Sequence, residues 1–127
     1  MNKGLHTEKA PAALGPYSQA VQAGDTIYVS GQLPIDPATG EFAGDDIVTQ
    51  TRQSLTNIQN ILASAGAQMS DIVKVTVFLK DIAEFGAMNE EYGKFFSEPY
   101  PARAAFQVGA LPKDSRVEIE AVAVISK

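Results

Sequence analysis

The segment Asp71–Leu79 constrains the fold more than any other part of the sequence, because its residues alternate with a period of two. One face of the segment carries the apolar residues Val73, Val75, Val77 and Leu79. This alternation predicts a β-strand with one thoroughly buried face. Segments with a helical period lie on both sides of the strand along the chain, so other elements are available to cover it.

An amphipathic helix is predicted before this strand, beginning near Asp45 or Asp46, either of which can cap it. Its apolar stripe recurs at spacings of three and four residues and consists of Ile47, Thr51, Leu55, Ile58, Leu62 and Ala65. The polar residues expected largely on the other faces are Arg52, Gln53, Asn57, Gln59 and Asn60. Gly66 is expected to end the helix in the position after the cap.

A second helix and further strands follow from the same reasoning. The helix is predicted over Ile82–Phe96, with an apolar side that consists of Phe85, Met88, Tyr92, Phe95 and Phe96. Pro99 and Pro101 end it, because proline cannot continue a helix. Strands are predicted over Thr26–Ser30, Ala102–Val108 and Arg116–Ile125, with Tyr17–Ala23 as a hairpin partner for the first. Residues 36–44 are predicted to form a loop.

The order of these elements predicts a single α+β domain over residues 1–127. Each helix lies between strands, so we expect a mixed β-sheet with both helices packed on one face. A length of 127 residues suits one domain. It leaves no segment to cover the other face of the sheet, so we expect the chain to form an oligomer.

Composition argues against several classes of function. The chain has 10 basic and 15 acidic residues, a net charge of −5 and no basic run, which argues against binding to nucleic acid. No apolar stretch approaches the roughly 20 residues that span a bilayer. The N-terminal residues lack the apolar core of a signal peptide, so we expect a cytoplasmic protein without membrane association.

Disulfides, thiolate chemistry and metal binding are not expected. The chain has no Cys, and its one His, His6, cannot form a metal site or a Ser–His–Asp arrangement without distant partners. We interpret His6 as a structural or surface residue. No phosphate loop, nucleotide-binding glycine pattern or zinc spacing is present.

Arg103 is the most informative residue for function. It lies early in an otherwise apolar strand, and the small side chains around it leave room for a ligand. Its guanidinium fork suits a carboxylate held by two parallel hydrogen bonds. The alternative interpretation is an edge-strand arginine in a surface or interface ion pair.

Glu118 and Glu120 alternate with apolar residues, so both point to the same side of the last strand. Two carboxylates on one face are candidates for general acid–base groups. They are equally candidates for a solvated face, or for ion pairs with Arg103 and Arg116. Gly31 could offer its backbone N–H to a ligand or be a plain turn glycine.

Several motifs together resemble the RidA family, also called the YjgF/YER/UK family. The most specific stretch is PARAAFQVGALPK at residues 101–113, followed by VEIEA at residues 117–121. Further matches are AP at 10–11, GPYSQA at 15–20, VSGQLP at 29–34 and NEEY at 89–92. The resemblance extends from about Thr7 to Val124, which is nearly the whole chain.

This resemblance implies a homotrimer with a chorismate-mutase-like α+β fold and active sites in clefts between subunits. The family's activity is the hydrolysis of 2-imino acids and their enamines, such as 2-iminobutanoate and 2-aminoacrylate, to 2-keto acids and ammonia. These substrates arise from pyridoxal-phosphate-dependent dehydratases that act on serine and threonine. The resemblance therefore implies a deaminase that hydrolyses C=N bonds and needs no cofactor or metal.

The resemblance also implies roles for individual residues. Arg103 is the implied catalytic residue that holds the substrate carboxylate, and Glu118, rather than Glu120, is the implied acid–base residue. The residues implied to bind substrate around them are Tyr17, Ser30, Gly31, Phe85, Asn89 and Ala105. Ala105 stands where many bacterial members have Cys, which removes thiol reactivity and leaves the hydrolytic hypothesis intact.

Two other kinds of function stay open from sequence. A trimer that binds keto or imino acids and regulates a partner would use the same Arg103 cleft without catalysis. Ribonuclease, translation-inhibiting and chaperone-like roles have also been proposed within the family. The acidic composition counts against RNA cleavage, whereas chaperone behaviour leaves no signature in the sequence.

Overall fold

A six-stranded β-sheet and two α-helices make up most of the structure, a computed structural model that describes residues 1–125. The strands are β1 (Lys3–Leu5), β2 (Ala20–Ala23), β3 (Thr26–Gln32), β4 (Ile35–Asp36), β5 (Glu41–Phe42), β6 (Ile72–Leu79), β7 (Ala102–Gln107) and β8 (Val117–Val124). The helices are α1 (Ile47–Ala63) and α2 (Phe85–Tyr92). Short 3₁₀ turns cover Met69–Asp71, Ile82–Glu84, Gly93–Phe95 and Pro112–Asp114.

The large sheet has the strand order β1-β2-β3-β8-β6-β7. All neighbouring strands are antiparallel except β6 and β7, which run parallel and are connected through α2. The helices α1 and α2 pack on each other, and α1 also packs on β3 and β8. The predicted α+β class, with two helices and a mixed sheet, is therefore confirmed.

The core lies between the helices and one face of the sheet. In its centre Val75 pairs with Ala121 and Val77 with Ile119, and all four side chains are buried. The helix α1 covers them with the apolar stripe that its sequence predicts, which includes the fully buried Leu55, Ile58 and Leu62. Burying each of these larger aliphatic side chains stabilises the fold by about 1.5–3 kcal/mol.

Both predicted ends of α1 are confirmed. Asp46 is the N-cap, and its carboxylate accepts a hydrogen bond of 2.9 Å from the Thr49 backbone N–H. Gly66 has a φ of +76°, which suits glycine because it lacks a Cβ. The backbone N–H groups of Gly66 and Ala67 donate back to the last turn of the helix, as expected for a glycine in this position.

The prediction for Val73 was wrong, because the strand is irregular at its start. The pairing of β6 with β8 shifts register between Ile72 and Lys74. An extra residue in one strand interrupts the alternation of side chains. Ile72 is therefore buried, whereas Val73 is 47% exposed.

The prediction for Asn57 was also wrong, since its side chain is fully buried. Its amide donates hydrogen bonds of 3.1 and 3.0 Å to the backbone carbonyls of Leu33 and Ile35, and its oxygen accepts one from Gln53. A buried amide is tolerated when it is bonded in this way. Asn57 thus fastens α1 to the chain that follows β3.

Three further differences concern short elements. The strand β1 was not predicted, and the predicted loop at residues 36–44 contains part of a small hairpin formed by β4 and β5. The predicted second helix is helical over most of its length but divides into α2 and two 3₁₀ turns. Two- and three-residue strands are too short for an alternating pattern to be recognised in the sequence.

The face of the sheet that points away from the helices carries exposed aromatic side chains. Tyr28 is 53% exposed and Phe106 is 44% exposed. Phe106 meets Phe78 edge to face, with ring centroids 5.6 Å apart. We call this side of the sheet the open face. None of the helices in residues 1–125 is both long and apolar enough to cross a membrane.

Candidate functional site

Arg103 projects from the edge strand β7 toward α2. Its strand partner is Val75, whose side chain lies in the core, so Arg103 is on the helix side of the sheet. The Nη1 atom donates a hydrogen bond of 2.6 Å to Oδ1 of Asn89. The Cζ atom lies 5.4 Å from the ring centroid of Phe85 and 4.8 Å from that of Tyr92. One hydrogen bond and two aromatic rings therefore hold the guanidinium.

A cleft of about 430 Å³ opens beside this guanidinium. Its walls are formed by Asn89, Tyr92, Gly93, Tyr100, Pro101 and Arg103. In the part of the chain that the structure describes, Arg103 forms no salt bridge with a carboxylate. The hydrogen bond to Asn89 uses one of its five N–H groups, which leaves donors for an anion. The arrangement suits a carboxylate that enters from the cleft.

The two aromatic residues of this cleft, Tyr92 and Tyr100, were not predicted as part of a site. The helical pattern predicts Tyr92 on the apolar side of the second helix, where its ring does lie, whereas Tyr100 falls outside the predicted elements. Tyr100 is an aromatic residue between two prolines just before Arg103, which is the signal that could have found it. Burial raises the pKa of the Tyr92 hydroxyl, and the positive charge of Arg103 acts in the opposite direction.

Glu118 lies on the open face, because its neighbours Val117 and Ile119 both point into the core. Its carboxyl group fills the space beside Gly31, where an added Cβ would approach the Glu118 Cδ to 3.0 Å and the carboxyl oxygen more closely still. Burial raises the pKa of Glu118, and the negative charge of Glu120 raises it further. Within residues 1–125 no hydrogen bond or ion pair neutralises this carboxyl group.

Ser30 and Gly31 lie in β3, and Tyr17 lies close to Gly31. Tyr17 is 54% exposed and shares with Gly31 a depression of about 150 Å³. The Ser30 hydroxyl donates a hydrogen bond of 2.6 Å to the Ser18 carbonyl, which joins β3 to the segment that carries Tyr17. Lys113 also lines the depression.

The segment before Tyr17 is held by the buried side chain of Gln19. The Gln19 oxygen accepts a hydrogen bond of 2.7 Å from the Thr7 backbone N–H. Its amide nitrogen donates to the carbonyls of Thr7, Ala10 and Pro11. A single side chain therefore supplies hydrogen bonds that β-pairing does not supply in this irregular segment.

The predicted site residues fall into two groups on opposite faces of the sheet. We call Arg103 with Asn89 and Phe85 the helix-side group. We call Glu118 with Gly31, Ser30 and Tyr17 the open-face group. The strand β6 lies between β7 and β8, so one chain does not bring Arg103 and Glu118 together.

The remaining residues that the sequence singled out lie outside both groups. Ala105 packs against the core, and other residues line the cleft beside Arg103. Arg116 forms its salt bridge with Glu84, at 3.0 Å, and not with Glu118 or Glu120. His6 is exposed at the surface. Across residues 1–125, no three His, Cys, Asp or Glu side chains are grouped so that they could hold a metal ion.

The fold and the Arg103 cleft together define an α+β protein with an exposed arginine beside a cleft at the edge of its sheet. The sequence matches the endoribonuclease L-PSP family over residues 7–125. The chain therefore belongs to this family, which includes the RidA and YjgF proteins, and the predicted resemblance is confirmed.

Relatives of this chain carry different names. A goat (Capra hircus) protein named 2-iminobutanoate/2-iminopropanoate deaminase is 54% identical, over 94% of this chain and 88% of its own length. The structure of a putative endoribonuclease from Thermotoga maritima has a TM-score of 0.96 at 44% identity and covers 100% of both chains. The structure of E. coli TdcF with bound serine has a TM-score of 0.92 at 46% identity and covers 98% of this chain and 99% of that one.

Proposed function

We propose that this protein hydrolyses reactive 2-imino acids and their enamine forms, including 2-iminobutanoate and 2-aminoacrylate. Water adds to the C=N carbon, and the C–N bond then breaks, so that imino acid and water give a 2-keto acid and ammonia. The observation that carries this proposal is the Arg103 guanidinium, which faces an open cleft and has no carboxylate partner within residues 1–125. The name of the goat relative supports the choice of substrate.

Arg103 binds the substrate carboxylate in this proposal. Hydrogen bonds between ionised groups contribute about 1.5–3 kcal/mol each, and two parallel bonds also fix the orientation of the ligand. Phe85 and Asn89 keep the guanidinium in place before the ligand arrives. The C2 atom, adjacent to the bound carboxylate, is then held in one position for attack by water.

Glu118 transfers protons in this proposal. A carboxyl group with a raised pKa exchanges its proton more readily near neutral pH than an ordinary one does. Glu118 takes a proton from the attacking water and returns it to the nitrogen, which leaves as ammonia. Gly31 gives the carboxyl group room for this movement, and Tyr17 limits the size of the substrate side chain.

The active form in this proposal is a homotrimer in which neighbouring subunits share each site. Arg103 and Glu118 lie on opposite faces of one chain, so a cleft that contains both needs a second copy. The exposed Tyr28 and Phe106 on the open face are apolar surface that such a contact would cover. Light scattering at micromolar concentration tests the assembly, and a monomer mass would contradict it.

A trapping assay tests the reaction. A serine or threonine dehydratase generates the imine, semicarbazide captures the free imine, and the yields of keto acid and captured imine are measured. We expect the wild type to divert imine to keto acid before capture, and Arg103→Ala to lower this activity at least about 100-fold, since two charge-assisted hydrogen bonds are lost.

Two variants serve as controls in this assay. Lys80→Ala removes a positive charge whose partner is the exposed Asp114, and it should leave the activity unchanged. Arg103→Lys keeps the charge but loses the planar fork, so it should recover only part of the activity. If Arg103→Ala kept most of the activity, the proposed role of Arg103 would be wrong.

A binding module without catalysis is the second candidate function. The observation that favours it is the serine bound in the E. coli TdcF structure. Binding of a 2-keto acid by calorimetry, together with no diversion of imine in the trapping assay, would replace the deaminase proposal with this one. Cleavage of RNA is disfavoured by the net charge of −5.

A further inference from the structure

The proton of the Tyr92 hydroxyl is buried without an acceptor. The exposed fraction of Tyr92 is 5%, and among the described residues the polar group that approaches its hydroxyl is the Arg103 guanidinium, which can donate a hydrogen bond but cannot accept one. Such a group destabilises the folded state, because its proton has lost hydrogen bonds to water and gained none in return. Phe would fill the same space without this penalty, so packing alone does not account for a tyrosine here.

The ring of Tyr92 is fixed in the wall of the Arg103 cleft. It lies 4.8 Å from the Cζ atom of Arg103 and contacts the ring of Phe96, with centroids 4.6 Å apart. A tyrosine oxygen lies in the plane of its ring, so contacts that fix the ring also fix the hydroxyl. The hydroxyl is therefore held close to the guanidinium that faces the cleft.

The charge state of Tyr92 makes it a hydrogen-bond donor. Burial raises its pKa above the ordinary value of 10.0, although the charge of Arg103 acts against this. The hydroxyl therefore keeps its proton at neutral pH. An ionised carboxylate can only accept hydrogen bonds, and it has room for several. The protonated Tyr92 hydroxyl and a ligand carboxylate are thus complementary as donor and acceptor.

We propose that the Tyr92 hydroxyl is a ligand-binding group, which donates a hydrogen bond to the carboxylate that Arg103 holds. The chemical class of the ligand, a 2-imino or 2-keto acid, rests on the proposed function. Arg103 is exposed and is anchored by its hydrogen bond to Asn89, so a small shift of the guanidinium toward a ligand, with that bond kept, uncovers the hydroxyl. The ligand then supplies the acceptor that the chain does not.

The test compares the binding of 2-oxobutanoate to the wild type and to Tyr92→Phe by calorimetry. We expect the variant to bind about 10-fold more weakly, which corresponds to about 1.4 kcal/mol. The KM for imine should rise by a similar factor, with a smaller change in kcat. The melting temperature of the ligand-free variant should be equal to or above that of the wild type, because an unpaired buried hydroxyl is removed.

A matched control is Tyr28→Phe, which removes a hydroxyl on the open face and should not alter the affinity for 2-oxobutanoate. Equal affinities of the wild type and Tyr92→Phe would overturn the inference and leave the deaminase proposal standing. So would a lower melting temperature with unchanged affinity, which would indicate a structural hydrogen bond.

A crystal structure of the complex with 2-oxobutanoate gives an independent result. A Tyr92 oxygen within about 3 Å of a ligand carboxylate oxygen would support the inference, and a longer separation would overturn it. A wild type that neither binds 2-oxobutanoate nor diverts imine would overturn both this inference and the deaminase proposal.

Discussion

The helix-side group and the open-face group obtain their geometry in different ways. Phe85, Asn89 and Arg103 lie within nineteen positions of one another, and a hydrogen bond and a ring contact hold the guanidinium directly. Glu118 and Gly31 are far apart in the sequence and come from β8 and β3. No such bond holds the Glu118 carboxyl group, whose position is defined by the space that Gly31 leaves.

This difference corresponds to a difference in chemistry. A guanidinium fixed before the ligand arrives loses little freedom on binding, which suits a residue that holds a substrate. A carboxyl group without a fixed partner can change its protonation state, which suits a residue that transfers protons. In the proposed function each group lacks what the other provides, so one chain would contribute two different half-sites.

The largest expected effect that separates the groups is the loss of turnover in Glu118→Gln. This change keeps the size of the side chain and removes its ability to accept a proton, so kcat should fall about 100-fold. The affinity for 2-oxobutanoate by calorimetry should change little, in contrast to Arg103→Ala. Weaker binding with normal kcat would instead make Glu118 a positioning residue.

Mixing two inactive variants should restore activity if neighbouring subunits share a site. In a 1:1 mixture of Arg103→Ala and Glu118→Gln chains, about a quarter of the clefts of a cyclic trimer would contain both native side chains. Unfolding and refolding the two chains together should therefore recover about a quarter of the wild-type activity. The two variants refolded separately and then assayed together are the control. No recovery would mean that each chain forms its own site.

Gly31→Ala tests whether space alone positions Glu118. The added methyl group would displace the Glu118 carboxyl group, so we expect about a 10-fold loss of kcat/KM and a destabilisation of about 1–3 kcal/mol. Gly86→Ala is a matched control, because no heavy atom lies within 4 Å of the Cβ it would add. Unchanged kinetics in Gly31→Ala would show that the carboxyl group does not need its present position.

The smallest expected effect is a pH-dependent gain in stability in Glu118→Gln. The pKa of Glu118 is higher in the folded state than its ordinary value of 4.5, so the wild type loses stability as pH rises above 4.5 and through the folded pKa. At pH 7 the variant should be more stable, by less than about 1 kcal/mol because the group is half exposed. Urea unfolding at pH 7 and pH 4 measures this, and the gain should vanish at pH 4.

The sequence predicts the elements that follow from local patterns. Asp46 and Gly66 bound α1 as expected, because capping depends on a few adjacent residues. Val73 and Asn57 were misassigned for non-local reasons. A register shift between β6 and β8 exposes Val73. The side chain of Asn57 is buried where its amide donates hydrogen bonds to the backbone carbonyls of Leu33 and Ile35, which follow β3.

The division of the site could not be predicted from the residues themselves. Alternation shows that Glu118 and Glu120 share a face, but it does not say which face Arg103 occupies. That depends on how β7 pairs with β6 and how β6 pairs with β8. Register is weakly specified for β7, because small apolar residues lie on both of its faces. The partners of Arg103 on α2 depend on the same register.

The hydrogen bonds of Gln19 bear on how the molecule opens locally. The backbone of residues 7–11 is held mainly by this amide, with one further hydrogen bond from the Asn60 side chain to the Lys9 carbonyl. The segment and Tyr17 should therefore detach together, at a lower free energy than global unfolding. Their amide protons should then exchange with solvent as one early group. The segment that carries Tyr17 should thus be less protected against amide exchange than the rest of the open-face group, while β6 and β8 stay folded.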